Sequence, residues 1–86
     1  MNSPETDALI LRACQPQAGD RFMRSELFDV IIQAITPSAE FEAEVTCQWT
    51  TDGVVKTETI HIGYYRLLAK RSIEVGHLFI PVEVKP

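Results

Sequence analysis

Eighty-six residues, 45% hydrophobic and 23% charged, fit one small globular domain spanning residues 1–86 and exclude a disordered chain. A net charge of −4 excludes a chain that is basic throughout, as a nucleic-acid backbone would demand, and is too mild for a DNA mimic. No apolar run approaches the roughly 18 residues of a membrane span. The opening Met1-Asn2-Ser3-Pro4-Glu5 is acidic and polar, unlike a secretory leader, so the expected compartment is the cytoplasm.

Ser3-Pro4-Glu5 predicts a helix start: Ser3 can cap, Pro4 fits the first helical position, and Glu5 and Asp7 complement the helix dipole. The helix runs to Cys14 with Leu9, Ile10 and Ala13 on one side. Pro16, Gly19 and Asp20 mark a loop. A second helix is predicted from Ser25 to Ile35, where Leu27, Phe28, Ile31, Ile32 and Ile35 make a broad apolar face. The β-branched run Val30-Ile31-Ile32 leaves a strand as the alternative there.

Thr36-Pro37-Ser38 has two readings. It could cap a third helix to Thr51, with Phe41, Val45 and Trp49 in line, or it could turn the chain into a strand. Unbroken alternation from Phe41 to Trp49 favours the strand. Asp52-Gly53 then supplies a type I′ hairpin turn, because both residues tolerate φ > 0. With those two in the turn, Thr51 faces Val54, Trp49 faces Lys56, Cys47 faces Glu58, Val45 faces Ile60, Ala43 faces Ile62 and Phe41 faces Tyr64. This face is apolar except near the tip, and the opposite face is mostly polar. Tyr64 to Arg71 reads as a short helix or a continued strand. Gly76 breaks it, and Leu78 to Val84 alternates again, with Pro81 marking an edge strand.

The expected fold class is α+β: two N-terminal helices packed on a small antiparallel sheet made of the hairpin 40–50/54–63 and a C-terminal strand 77–84. The expected core is Leu9, Ile10, Phe28, Ile31, Ile32, Ile35, Phe41, Val45, Trp49, Ile60, Ile62, Leu78, Ile80 and Val82.

No constellation predicts catalysis or a cofactor. Cys14, Cys47, His61 and His77 lack the close pairs that zinc sites use, and the hairpin register puts Cys47 and His61 on opposite faces. A thiol on the apolar face is a poor nucleophile. No Gly-x-Ser-x-Gly turn and no phosphate-cradling glycine loop occurs. Glu40, Glu42 and Glu44 recur at period two, as on a solvated strand face, and Glu44 opposite His61 reads as a surface pair. Neither a metal nor a cofactor is therefore expected, and the chain is not expected to be an enzyme.

Positive charge and aromatics coincide at one place, Tyr64, Tyr65, Arg66, Lys70 and Arg71, and these are the expected partner-binding residues. They point to a non-enzymatic protein-interaction module, such as a small accessory protein, inhibitor or assembly factor, with an acidic partner protein. The strand at Pro81 offers an edge for a homodimer or another chain. The stretch from Leu9 to Leu67 also resembles a winged helix-turn-helix. Gly19-Asp20-Arg21-Phe22 before Ser25-Glu26-Leu27 is similar to the entry to its second helix, and Asp52-Gly53-Val54-Val55 to the junction into its wing. The resemblance implies a DNA-binding regulator as the second reading, although the segment in the place of the recognition helix carries Glu40, Glu42 and Glu44 and no Lys or Arg.

Overall fold

A computed structural model describes residues 3–25 and 28–83. In chain order the elements are α1 (Pro4–Ala13), β1 (Arg21–Ser25), β2 (Phe28–Pro37), β3 (Ala43–Thr51), β4 (Val54–His61), α2 (Ile62–Glu74) and β5 (Leu78–Ile80). The strands form one antiparallel sheet in the order β4-β3-β2-β1-β5. Strands β1 to β4 are a meander, and α2 carries the chain from the β4 edge to the opposite edge. Both helices cover the same face, where Ala13 of α1 and Ile62, Tyr65, Ala69 and Ile73 of α2 meet the inward strand residues. The class is α+β, as expected. The sheet is larger than expected, and only one of the two helices is N-terminal. No helix among the described residues is long and apolar enough to cross a membrane.

The first helix starts as its sequence dictates. The Ser3 hydroxyl accepts the Thr6 N–H at 3.2 Å, and Pro4 occupies the first turn, where no N–H is missed. The hairpin also follows its sequence. Asp52 at φ +51° and Gly53 at φ +81° form the type I′ turn, and the expected pairs from Thr51–Val54 to Glu44–His61 all occur. The ladder stops there, so the further pairs Ala43–Ile62 and Phe41–Tyr64 do not form. His61 leaves the strand as the N-cap of α2, its Nδ1 accepting the Tyr64 N–H at 3.3 Å.

The helix expected over Ser25–Ile35 is overturned. Residues 28–37 are β2, paired with β1 on one side and β3 on the other; Glu26 and Leu27 lie outside the described residues. The alternative helix to Thr51 is overturned too, because 43–51 is β3. The winged helix-turn-helix needs both of those helices, so its architecture is absent from the described residues. A register shift between Ile32 and Ala34 explains the misleading pattern. The bulge turns Val30, Ile32 and Ile35 to one face, pairing them with Trp49, Cys47 and Val45. Their spacing of two and then three residues imitates part of a helical stripe. The C-terminal strand is shorter than the expected 77–84, because Pro81 cannot donate to a ladder and ends it; Val84 lies outside the described residues.

The core contains Ile32, Val45 and Ile62, as expected, together with Ala13, Phe22, Val30, Ala43, Cys47, Tyr65, Ala69, Ile73 and Phe79. Ile10, Ile35, Trp49 and Ile60 pack against it half-buried. Other expectations fail. Leu9, Phe41, Leu78 and Ile80 are exposed, and Ile31 and Val82 are half-buried; the side chain of Phe28 lies outside the described residues. Strand β5 shows the reason. Phe79 pairs with Phe22 and points inward, their ring centroids 4.8 Å apart, so its neighbours Leu78 and Ile80 face outward. The alternation is real, but Phe79 sets its inward phase, one residue away from the expected phase of Leu78 and Ile80.

One buried charge organises the end of the molecule where α1 meets the sheet. Asp20 is fully buried, and Arg12 reaches it with two parallel bonds of 2.7 and 2.9 Å. The remaining acceptor capacity takes the N–H of Gln17 and the N–H of Val82, both at 2.9 Å. Four donors around one carboxylate offset the cost of taking it out of water. Asp20 thereby joins α1, the loop before β1 and the segment after β5. Gly19 beside it has φ +99°, and a Cβ there would sit 2.9 Å from Val82 Cγ2, so only glycine fits.

Candidate interaction surface

Helix α2 sits on the sheet by a regular stripe. Ile62, Tyr65, Ala69 and Ile73, spaced by three, four and four residues, are its buried positions. That stripe fixes which side chains face outward. Tyr64 is 46% exposed and Leu67 is 71% exposed, and Lys70, Arg71 and Glu74 are exposed beside them. Tyr64, Leu67, Lys70, Arg71 and Glu74 line a shallow surface depression together with Leu68. Tyr64, Tyr65 and Arg66 are consecutive and cannot share one face of a helix, so the five expected partner-binding residues divide.

Tyr64, Lys70 and Arg71 lie on the outward surface. Tyr65 is turned in, 3% exposed, with its ring edge-on to Phe22 at 6.4 Å. Burial drives its hydroxyl well above the usual tyrosine range. Arg66 is half-buried and engaged within the chain. Its Nε donates to the Cys14 carbonyl at 2.9 Å, and its two terminal nitrogens hold the Glu42 carboxylate at 2.8 and 3.1 Å. It clasps α2 to the end of α1 and to the β2–β3 loop, and its hydrogen bonds hold the Glu42 carboxyl below its ordinary range. Leu67, which the sequence reading passed over, is the most exposed large apolar side chain in the molecule's described surface. The register of α2 against the sheet was the signal that could have found it.

A second concavity of about 700 Å³ runs between α2 and the edge strand β4. Trp49 and Ile60 line it from the sheet, and Tyr64 and Leu68 from the helix. At one end Phe41 stacks on His61, centroids 4.8 Å apart, and Tyr64 meets His61 edge-on at 6.2 Å. The aromatic and aliphatic walls are interrupted by Glu44, Glu58 and Thr59, so a chain segment settling here would bury apolar surface beside two carboxylates.

The groups considered for chemistry stay apart. Cys47 faces the helices and pairs with Glu58, whereas His61 pairs with Glu44 before capping α2. Among the described residues no three His, Cys, Asp or Glu side chains gather in a metal-holding cluster. Burial, and secondarily the charge of Glu58, pushes the Cys47 thiol up to about 11. This has a measurable sign. Above about pH 8.5 the unfolded chain loses this thiol proton while the folded chain keeps it. The stabilising contribution is thus full below about pH 8.5 and is lost as the pH rises towards 11. The thermal midpoint of the wild type is expected to fall between pH 8 and 10 more steeply than that of Cys47→Ala, measured by circular dichroism. Equal slopes would contradict the burial of this thiol.

Compared with known protein families, curated proteins and solved structures, the chain matches none.

Proposed function

We propose that this chain is a non-enzymatic protein-interaction module that contacts its partner through the outward face of α2. The observation that carries the reading is Leu67, 71% exposed on a helix whose other face is fully engaged, with Tyr64 before it and Lys70 and Arg71 after it. Tyr64 and Leu67 serve as apolar anchors, which gain by leaving water. Lys70 and Arg71 steer a partner that carries carboxylates, acting mainly on association rate. Tyr65 and Arg66 hold the helix in place rather than meeting the partner. Roles as a small accessory protein, inhibitor or assembly factor are all of this kind. The setting we assign is the cytoplasm, where two free thiols such as Cys14 and Cys47 persist.

A photoreactive residue placed at position 67 tests the proposal. Irradiation in lysate of the native host is expected to give a protein adduct that disappears when Lys70 and Arg71 are both changed to Glu. The same residue at position 11, where Leu11 is 70% exposed on α1, is expected to give none. An adduct at 11 and not at 67, or one at 67 indifferent to the charge reversals, would move the contact surface elsewhere.

A further inference from the structure

Strand β4 is a sheet edge of eight residues, and all of them except Ile60 are exposed. Val54 and Val55 are 58% and 56% exposed. An edge of this length invites another strand, and Lys56 and Glu58 at its middle blunt it against any strand that does not meet them with opposite charges. We infer that β4 pairs antiparallel with β4 of a second copy, about a two-fold axis at Thr57, to make a continuous ten-stranded sheet.

The backbone specifies which groups are free. In a two-residue hairpin the residues flanking the turn exchange both hydrogen bonds, and bonded and non-bonded pairs then alternate. Val54, Lys56, Glu58 and Ile60 therefore spend their backbone groups on β3, through Thr51, Trp49, Cys47 and Val45. Val55, Thr57 and Thr59 direct theirs outward. A two-fold at Thr57 sets Thr57 against Thr57 of the second copy, and Val55 against its Thr59. These are the outward-directed residues, so each such pair exchanges two backbone hydrogen bonds.

The side chains specify the same register. A two-fold at Thr57 places Lys56 against Glu58 of the second copy, and Glu58 against its Lys56. Both pairs fall at non-hydrogen-bonded positions, where side chains approach most closely. Neither Lys56 nor Glu58 has an ion-pair partner among the described residues. Val54 meets Ile60 on the same face. Moving the axis one residue either way puts Lys56 against Lys56 or Glu58 against Glu58, and also faces inward-directed backbone groups with each other. An axis at Val55 or Thr59 leaves both charges without an opposite number. Only the Thr57 axis satisfies backbone and charge together. It keeps the helices of both copies on one side of the joined sheet, so their two grooves lie on either side of the axis.

This inference is independent of the reading of α2. The test is sedimentation velocity of the whole chain at micromolar concentration, with circular dichroism to confirm folding. The wild type is expected at twice the 9.7 kDa of one chain. Lys56→Glu alone and Glu58→Lys alone each gather four like charges at the axis, and each is expected to raise the dissociation constant at least roughly tenfold. An equimolar mixture of the two variants restores every opposite-charge pair and is expected to sediment as a heterodimer. Thr57→Pro removes an outward N–H without touching a bond to β3, and is expected to give a folded monomer. A monomeric wild type overturns the inference, whether the edge is bare or occupied by a strand of another protein. So does a dimer that survives both charge reversals and Thr57→Pro.

Discussion

Asp20→Ala is expected to cost about 3 kcal/mol or more, read as a shift of the urea unfolding midpoint. Deleting one partner of a buried pair strands the other, and three separate segments lose an acceptor at once. Arg12 keeps some access to water, its side chain 27% exposed, which holds the cost towards the lower end of the range for buried pairs. In a domain of this size the thermal midpoint should drop by roughly 12 °C or more. Asp20→Asn keeps the shape and two acceptor sites on its oxygen but loses the charge facing Arg12, so it should lie between Asp20→Ala and the wild type. A loss below about 1 kcal/mol for Asp20→Ala would mean that the carboxylate is not the joint its geometry describes.

Ile32→Ala is expected to cost about 3 kcal/mol, against about 1 kcal/mol for Ile32→Val. Ile32 is 1% exposed and pairs with Cys47 in the middle of the sheet, so its methyl groups leave a void that nothing nearby can fill. The two sites are neighbours. The Ile32 N–H donates to the Asp20 carbonyl at 2.8 Å, and its carbonyl accepts the Gly19 N–H at 2.7 Å. The double variant is therefore expected to cost less than the sum of the singles, because each already loosens the same piece of backbone.

What the sequence disclosed depended on how local its cause was. The hairpin was legible because two adjacent residues, Asp52 and Gly53, set the turn, and every pair up to Glu44–His61 follows from it. The cap at Ser3 was legible for the same reason. Strand β2 was legible only as the alternative that the β-branched run Val30-Ile31-Ile32 left open, because a bulge near Gln33 breaks the period of two and makes Ile32 and Ile35 coincide on one face. Helix α2 was half legible: of the two readings open for Tyr64 to Arg71, the helix is the one found, and it starts earlier and ends later than that segment. The alternation continues into Ile62, and only the three-four-four spacing of Ile62, Tyr65, Ala69 and Ile73 reports the change of element. The division of residues 64–71 between outward and inward side chains was not legible residue by residue. Tyr64 and Tyr65 differ by about 100° around the helix, which separates an outward ring from a core ring. The partners of Arg66 lie 24 and 52 residues away, and no window along the chain contains them. The importance of Asp20 was invisible for the same reason, since it reads as a loop residue until Val82 arrives from 62 residues further on.

That last separation bears on the order in which the fold assembles. The meander from β1 to β4 forms through short connections, each a small loop to close. Strand β5 can reach β1 only after α2 has crossed the sheet, and the bond from Val82 to Asp20 closes the longest loop among the side-chain bonds described. Contacts made this late are weakly formed at the folding barrier. Loosening them leaves the rate of folding nearly unchanged and speeds unfolding. The bond from Val82 to the buried carboxylate is thus expected to act chiefly on how long a molecule stays folded, whereas the bonds from Arg12 and Gln17, local in the chain, can form early.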